Sequence, residues 1–148
     1  MSVTVAINRF VDFEALQGIM QDGHSDVVQI GRGRMSGSLT HISAGPSFGI
    51  SSGNFSRGAR LRGVTSQRRF MLGMVLATDG EATAWQQEVE SGDFLMMAPG
   101  QERYSVYQDA TKFSSALVSP QELEAFSRYP ARRKGPSGVA AVGSPAKY

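Results

Sequence analysis

Cysteine is absent from this 148-residue chain, which excludes disulfides, thiolate nucleophiles and thiolate metal sites together. Histidine is almost as scarce: His24 and His41 are the only two, and neither belongs to a His-x-His pair. No apolar run approaches the roughly eighteen residues that a membrane-spanning helix needs. Met1 to Phe10 lacks a basic start followed by a long apolar stretch, so no secretory signal is read there and a cytoplasmic location is expected. Gly31-Arg32-Gly33-Arg34 has the glycines of a phosphate loop but neither its lysine nor a following helix. Beyond Pro130 there is no apolar periodicity from which a DNA-recognition helix could form.

What is present bounds the fold. The length fits one domain, and 41% apolar residues suffice for one core. Seventeen glycines and six prolines favour many turns over long helices. The sequence pI of 9.2 hides an uneven charge. Arg128, Arg132, Arg133, Lys134 and Lys147 give the C-terminal tail five cations and no acid, so the rest of this +2 chain carries −3. Residues 27–78 hold seven arginines (Arg32, Arg34, Arg57, Arg60, Arg62, Arg68, Arg69) and no carboxylate. Residues 79–127 hold nine acids against Arg103 and Lys112. Two readings follow: neighbouring strands that compensate one another across a sheet, or a surface that takes polyanions.

Local patterns name the elements. Phe13, Leu16 and Met20 recur at helical spacing after Asp12, which is placed to cap a short helix. From Val27 the period shortens. Val28 and Ile30, then Met35, Leu39 and Ile42, suit two strands joined near Gly31–Gly33. Residues 47–51 predict a further strand with Phe48 and Ile50 on one face, followed by a turn at Gly53-Asn54. Residues 69–78 are apolar on both faces, as a buried strand is. Asp79-Gly80 then predicts a two-residue hairpin into an alternating strand over 82–89 that includes Trp85. Residues 93–98, 103–107 and 112–118 supply three more short strands around turns at 90–92 and Pro99-Gly100. Pro120 opens a last helix over 121–128, and Pro130 stops it. Short strands at turn intervals of about ten residues indicate an all-β sandwich or barrel. Residues 1–130 form that domain in this reading, and 131–148 are a basic, disordered tail.

Gly92-Asp93-Phe94-Leu95-Met96-Met97-Ala98-Pro99-Gly100 resembles the second conserved segment of the cupin superfamily, where a Gly-Asp turn feeds a strand ending in Pro-Gly. The order of elements over residues 8–128 is similar to the N-terminal sensor half of AraC-type transcription regulators. The resemblance implies an all-β, cupin-like jelly-roll barrel (a double-stranded β-helix) with a short helix at each end. It also implies a ligand-sensing role and a homodimer. Those regulators continue into helix-turn-helix motifs that are not read here, so direct nucleic-acid binding is not expected.

Metal-dependent cupins carry a His-x-His pair, a nearby glutamate and a later histidine, a set that suits iron, manganese or zinc. Here the residues after the Pro-Gly segment are Gln101-Glu102-Arg103-Tyr104, so neither a metal nor another cofactor is expected. His41 reads as a hydrogen-bonded structural residue and His24 as a loop residue. Glu88 and Glu90 share a face, yet their neighbours fit a solvated surface better than an acid–base pair. The principal reading is a non-catalytic domain that binds a small molecule, dimerises, or both. Phe70, Met74, Trp85, Met96 and Tyr104 are the candidate lining of a hollow barrel, and plain core is the competing account of the same residues. The alternative function is a small metal-free isomerase or lyase using Glu102, Arg103 and Tyr104 at the barrel mouth.

Overall fold

The computed structural model describes residues 2–12, 14–16, 24–80, 82–84, 87–128 and 139–140. Its strands are β1 (Val3–Phe10), β2 (His24–Gln29), β3 (Gly37–Ala44), β4 (Phe48–Phe55), β5 (Ala59–Val64) and β6 (Phe70–Ala77). They continue as β7 (Ala82–Ala84), β8 (Gln87–Val89), β9 (Phe94–Met97), β10 (Glu102–Tyr107), β11 (Thr111–Val118) and β12 (Val139–Ala140). Helix α1 spans Pro120–Ser127.

The strands form two sheets, ordered β1-β3-β4-β11-β6-β9-β12 and β2-β5-β10-β7-β8. Every pairing is antiparallel except the short parallel contact of β12 with β9. From β4 to β11 the chain lays down β4-β11-β6-β9 in one sheet and β5-β10-β7-β8 in the other. That interleaving of two Greek keys is the eight-stranded jelly roll. Strands β1 and β3 widen the first sheet beside β4, and β2 widens the second beside β5. The fold is therefore an all-β jelly-roll barrel, as the strand spacing implied.

Three local expectations change. Strands β2 and β3 are not a hairpin, because the chain crosses between sheets at Gly31–Gly33. The glycine serves close approach there: a Cβ on Gly31 would lie 2.6 Å from Asp109 Oδ1. Gly53 and Asn54 lie inside β4 rather than in a turn. A Cβ on Gly53 would sit 2.6 Å from the Ser38 carbonyl oxygen, so the glycine lets β3 and β4 come together. Asp79-Gly80 is also a crossing, since β6 and β7 belong to different sheets, and the Asp79 N–H donates to the Asp109 carbonyl at 3.1 Å.

The expected Asp12 cap is present, and the last helix carries a second, unexpected one. The Ala15 N–H donates to Asp12 Oδ1 at 2.8 Å, and Leu16 is buried. Phe13 and Met20 lie outside the described residues. Ser119 caps α1, accepting from the Glu122 N–H at 3.2 Å, with Pro120 in the first turn. Of the expected tail, residues 131–138 and 141–148 lie outside the described residues.

The core is gathered at one end of the barrel. Phe55 packs edge-on to Tyr107 at 5.8 Å and tilted to Phe113 at 5.9 Å. Phe10, Val27, Met35, Leu61 and Val75 close around them. The arginine-rich and acid-rich stretches do become neighbours: β5 pairs with β10, which puts Glu102, opposite Val64, on the same side of the sheet as Arg62. Arg57 also pairs with Asp109 at 3.3 Å. No helix among the described residues is long and apolar enough to cross a membrane.

Candidate functional site

Strand alternation fixes which side chains face the barrel interior. Burial of Leu39, Phe55, Val75, Met97, Thr111 and Leu117 identifies the inner rows of the seven-stranded sheet. Moving away from the core end, the next inner row is Ala6, His41, Ser51, Ser115, Gly73 and Leu95. The row beyond it is Thr4, Ser43, Gly49, Leu117, Met71 and Met97. Ala6, His41, Ser51, Ser115 and Gly73 in the first of these rows and Thr4, Ser43 and Gly49 in the second are small or polar, whereas Leu95, Leu117, Met71 and Met97 are bulky and apolar. The space is real at Gly73, where an added Cβ would meet nothing within 4 Å.

Polar groups converge on this open half. His41 Nδ1 and Ser51 Oγ are hydrogen-bonded at 2.8 Å across the β3–β4 pair. Gly49 lies between two cationic or imidazole groups: its Cβ position is 3.5 Å from His41 Cε1 and 3.7 Å from an Arg69 terminal nitrogen. Burial pushes the Arg69 pKa down, because desolvation opposes the charged guanidinium. From the facing sheet, Arg103 occupies the inner side of β10 beside Gly63. It stands four residues from Tyr107, just as Ser51 stands four from Phe55, and so at a similar depth. Its Nη2 donates to the Tyr107 hydroxyl at 3.4 Å, while its Nε is buried with no partner among the described residues. No inward position of β1, β3, β4, β5, β6, β9, β10 or β11 is an Asp or Glu. The open half thus presents the His41–Ser51 pair and the Arg103 guanidinium.

The residues singled out from sequence fall elsewhere. Phe70 and Met74 alternate with inward Met71, Gly73 and Val75, which places them on the outer side of β6. Met96, 42% exposed, faces the same way from β9 beside Leu72. Tyr104, 39% exposed, is on the outer side of the other sheet next to Arg62. Trp85 lies outside the described residues. The four described residues do not meet in one chamber. Glu102 and Tyr104 likewise point away from Arg103, because they alternate with it on β10, so the three do not converge at a mouth.

The reason is that the large sheet carries apolar side chains on both faces, with Leu39, Phe55, Val75, Met97 and Leu117 inward. Val5, Ile42, Ile50, Ala116, Leu72 and Met96 run across its outside, while Ala6, His41, Ser51, Ser115 and Gly73 line its inside. With apolar residues on both sides, a rule that puts the apolar face inward does not choose between them. The signal that could have found the chamber was the alternation Gly49-x-Ser51-x-Gly53 with Gly73 and Ser115 opposite.

The jelly-roll fold raises the question of a metal, which the donor set answers. Among the described residues no three His, Cys, Asp or Glu side chains are grouped to hold an ion. His41 is the one imidazole on the inner rows named here and is engaged by Ser51. The described residues do not offer the donor set of a first-row metal centre.

No protein-family model matches the chain, and no curated protein matches it. Solved structures with a similar fold do exist. The Schizosaccharomyces pombe Cnp3 cupin domain is 14% identical, with a TM-score of 0.45 over 74% of this chain and 95% of that one. KdgF from a Halomonas species is 15% identical, with a TM-score of 0.42 over 66% of this chain and 92% of that one. A cupin 2 conserved barrel domain protein from Rhodopseudomonas palustris is 11% identical, with a TM-score of 0.44 over 84% of each chain.

Proposed function

We propose that this domain is a non-catalytic binding module whose barrel holds a small molecule carrying an acceptor-rich, anionic group such as a carboxylate. The observation that carries the reading is the unfilled inner row at Gly73, lined by His41, Ser51 and Ser115. Arg103 adds positive charge on an inward position of β10, where its Nε is buried with no partner among the described residues. A bound anion would restore the interactions that these groups give up on leaving water. The element order resembles the sensor half of AraC-type regulators, and occupancy of the barrel is the natural input of such a sensor.

The test is a thermal-unfolding screen of small mono- and dicarboxylic acids against their neutral amides. Saturating ligand at about one hundred times its Kd raises stability by about 2.7 kcal/mol. The acids are expected to raise the unfolding temperature and the amides are not. Gly73→Leu, which plugs the space, is expected to fold and to lose the response. Absence of any shift, or a shift that survives in both Gly73→Leu and Arg103→Gln, refutes the reading.

A further inference from the structure

Among the described residues, strand β1 is bonded on one side only, to β3, and forms an edge of the seven-stranded sheet. A free edge presents a row of backbone donors and acceptors ready to accept another strand. Edges are ordinarily guarded by charge, proline, a bulge or a short length. The edge strands of the other sheet follow that rule, with exposed Asp26 on β2 and exposed Glu88 on β8. Strand β1 does not. It is eight residues long, lacks proline and pairs with β3 without a register shift. On its outer side it shows Val3, Val5 and Ile7 at 59%, 61% and 66% exposure. Arg9, near its C-terminal end, is its one charged residue.

We infer that β1 is the self-association edge of this protein, pairing antiparallel with β1 of a second copy about a two-fold axis at Val5. Charge selects the direction. Parallel pairing in register would set Arg9 beside Arg9, whereas the antiparallel arrangement places the two guanidinium groups at opposite ends. The pattern selects the register. With Val5 opposite its own copy, Val3 meets Ile7 and Ile7 meets Val3, so every exposed aliphatic of the strand gains a same-face partner. Thr4 then meets Ala6. The symmetry is self-complementary, as a two-fold interface must be. The outer row Val5, Ile42, Ile50, Ala116, Leu72, Met96 becomes continuous across both copies. Because this edge lies outside the barrel, the inference is independent of what the interior binds.

The lack of native cysteine makes the test clean, since each introduced thiol is the only one in the chain. Directly opposed residues of an antiparallel pair have Cα atoms about 4.5–5.5 Å apart, within the roughly 4.4–6.8 Å span of a disulfide. Full-length Val5→Cys is expected to form a covalent dimer under mild oxidant at dilute concentration. Thr4→Cys, offset from its copy by two positions, and Met96→Cys, at the far side of the same face, are expected to cross-link at least tenfold more slowly. Sedimentation equilibrium should give a dimer for the unmodified chain and a monomer for Val5→Lys, with unchanged circular dichroism. A monomeric unmodified chain overturns the inference. So does a dimer that survives Val5→Lys, or one that Met96→Cys traps as fast as Val5→Cys, which would mean packing through the sheet face.

Discussion

Gly53 and Gly73 both sit on inner positions of the large sheet, on strands that flank β11, and they should answer the same substitution oppositely. At Gly53 an added Cβ meets the Ser38 carbonyl oxygen at 2.6 Å and Leu39 Cδ1 at 3.1 Å. Backbone cannot yield as a side-chain tip can, so Gly53→Ala is expected to cost about 1–3 kcal/mol, the usual range for overpacking. At Gly73 the methyl enters open space, and Gly73→Ala is expected to be neutral or to stabilise by up to about 1 kcal/mol through the stiffer unfolded chain. Urea titration of the two variants checks the pair. Equal destabilisation would mean that the inner row is filled after all.

At the scale of the element, α1 is attached to the barrel rather than built into it. None of its residues is fully buried, and its start depends on Ser119 and Pro120. Ser119→Ala is expected to weaken α1 by about 1 kcal/mol. Hydrogen exchange should then speed at the α1 amides while β11 keeps its protection and the unfolding midpoint stays put. This helix was legible in the sequence because proline signals act locally. So were β6, β9, β10 and β11, whose turns and apolar runs are contiguous. The links between strands were less so. Asp79-Gly80 has hairpin chemistry, but the choice between returning to the same sheet and crossing to the other is made by β11 and β10, more than twenty residues away. The chamber was misplaced for a different reason. Met74, Met96 and Tyr104 have the residue types of a pocket lining, yet one-residue alternation decides the side, and the large sheet that carries Met74 and Met96 has apolar residues on both of its faces.

At the scale of the whole molecule, the run of arginines does not become a cationic face. On the outside of the five-stranded sheet Arg60 and Arg62 are accompanied by Asp26, Glu88 and Glu102. Phosphate binding needs several uncompensated cations acting together, with an affinity that falls steeply as salt rises. Replacing both Arg60 and Arg62 by glutamine is therefore expected to leave association with a DNA duplex unchanged within about twofold at low salt. Fluorescence anisotropy reads this directly, and a tenfold loss would restore the polyanion surface as a reading.

The jelly roll also sets a schedule for the nascent polypeptide. Strand β4 finds its second neighbour only in β11, with Phe55 opposite Thr111 and Phe48 opposite Val118. A ribosome must therefore release residues up to Val118 before the larger sheet can zip shut. Such distant pairing makes folding slow. Until then Ile50, which β11 flanks in the finished barrel, has Ile42 of β3 on one side and nothing on the other, and β4 spends most of the synthesis waiting for its second partner.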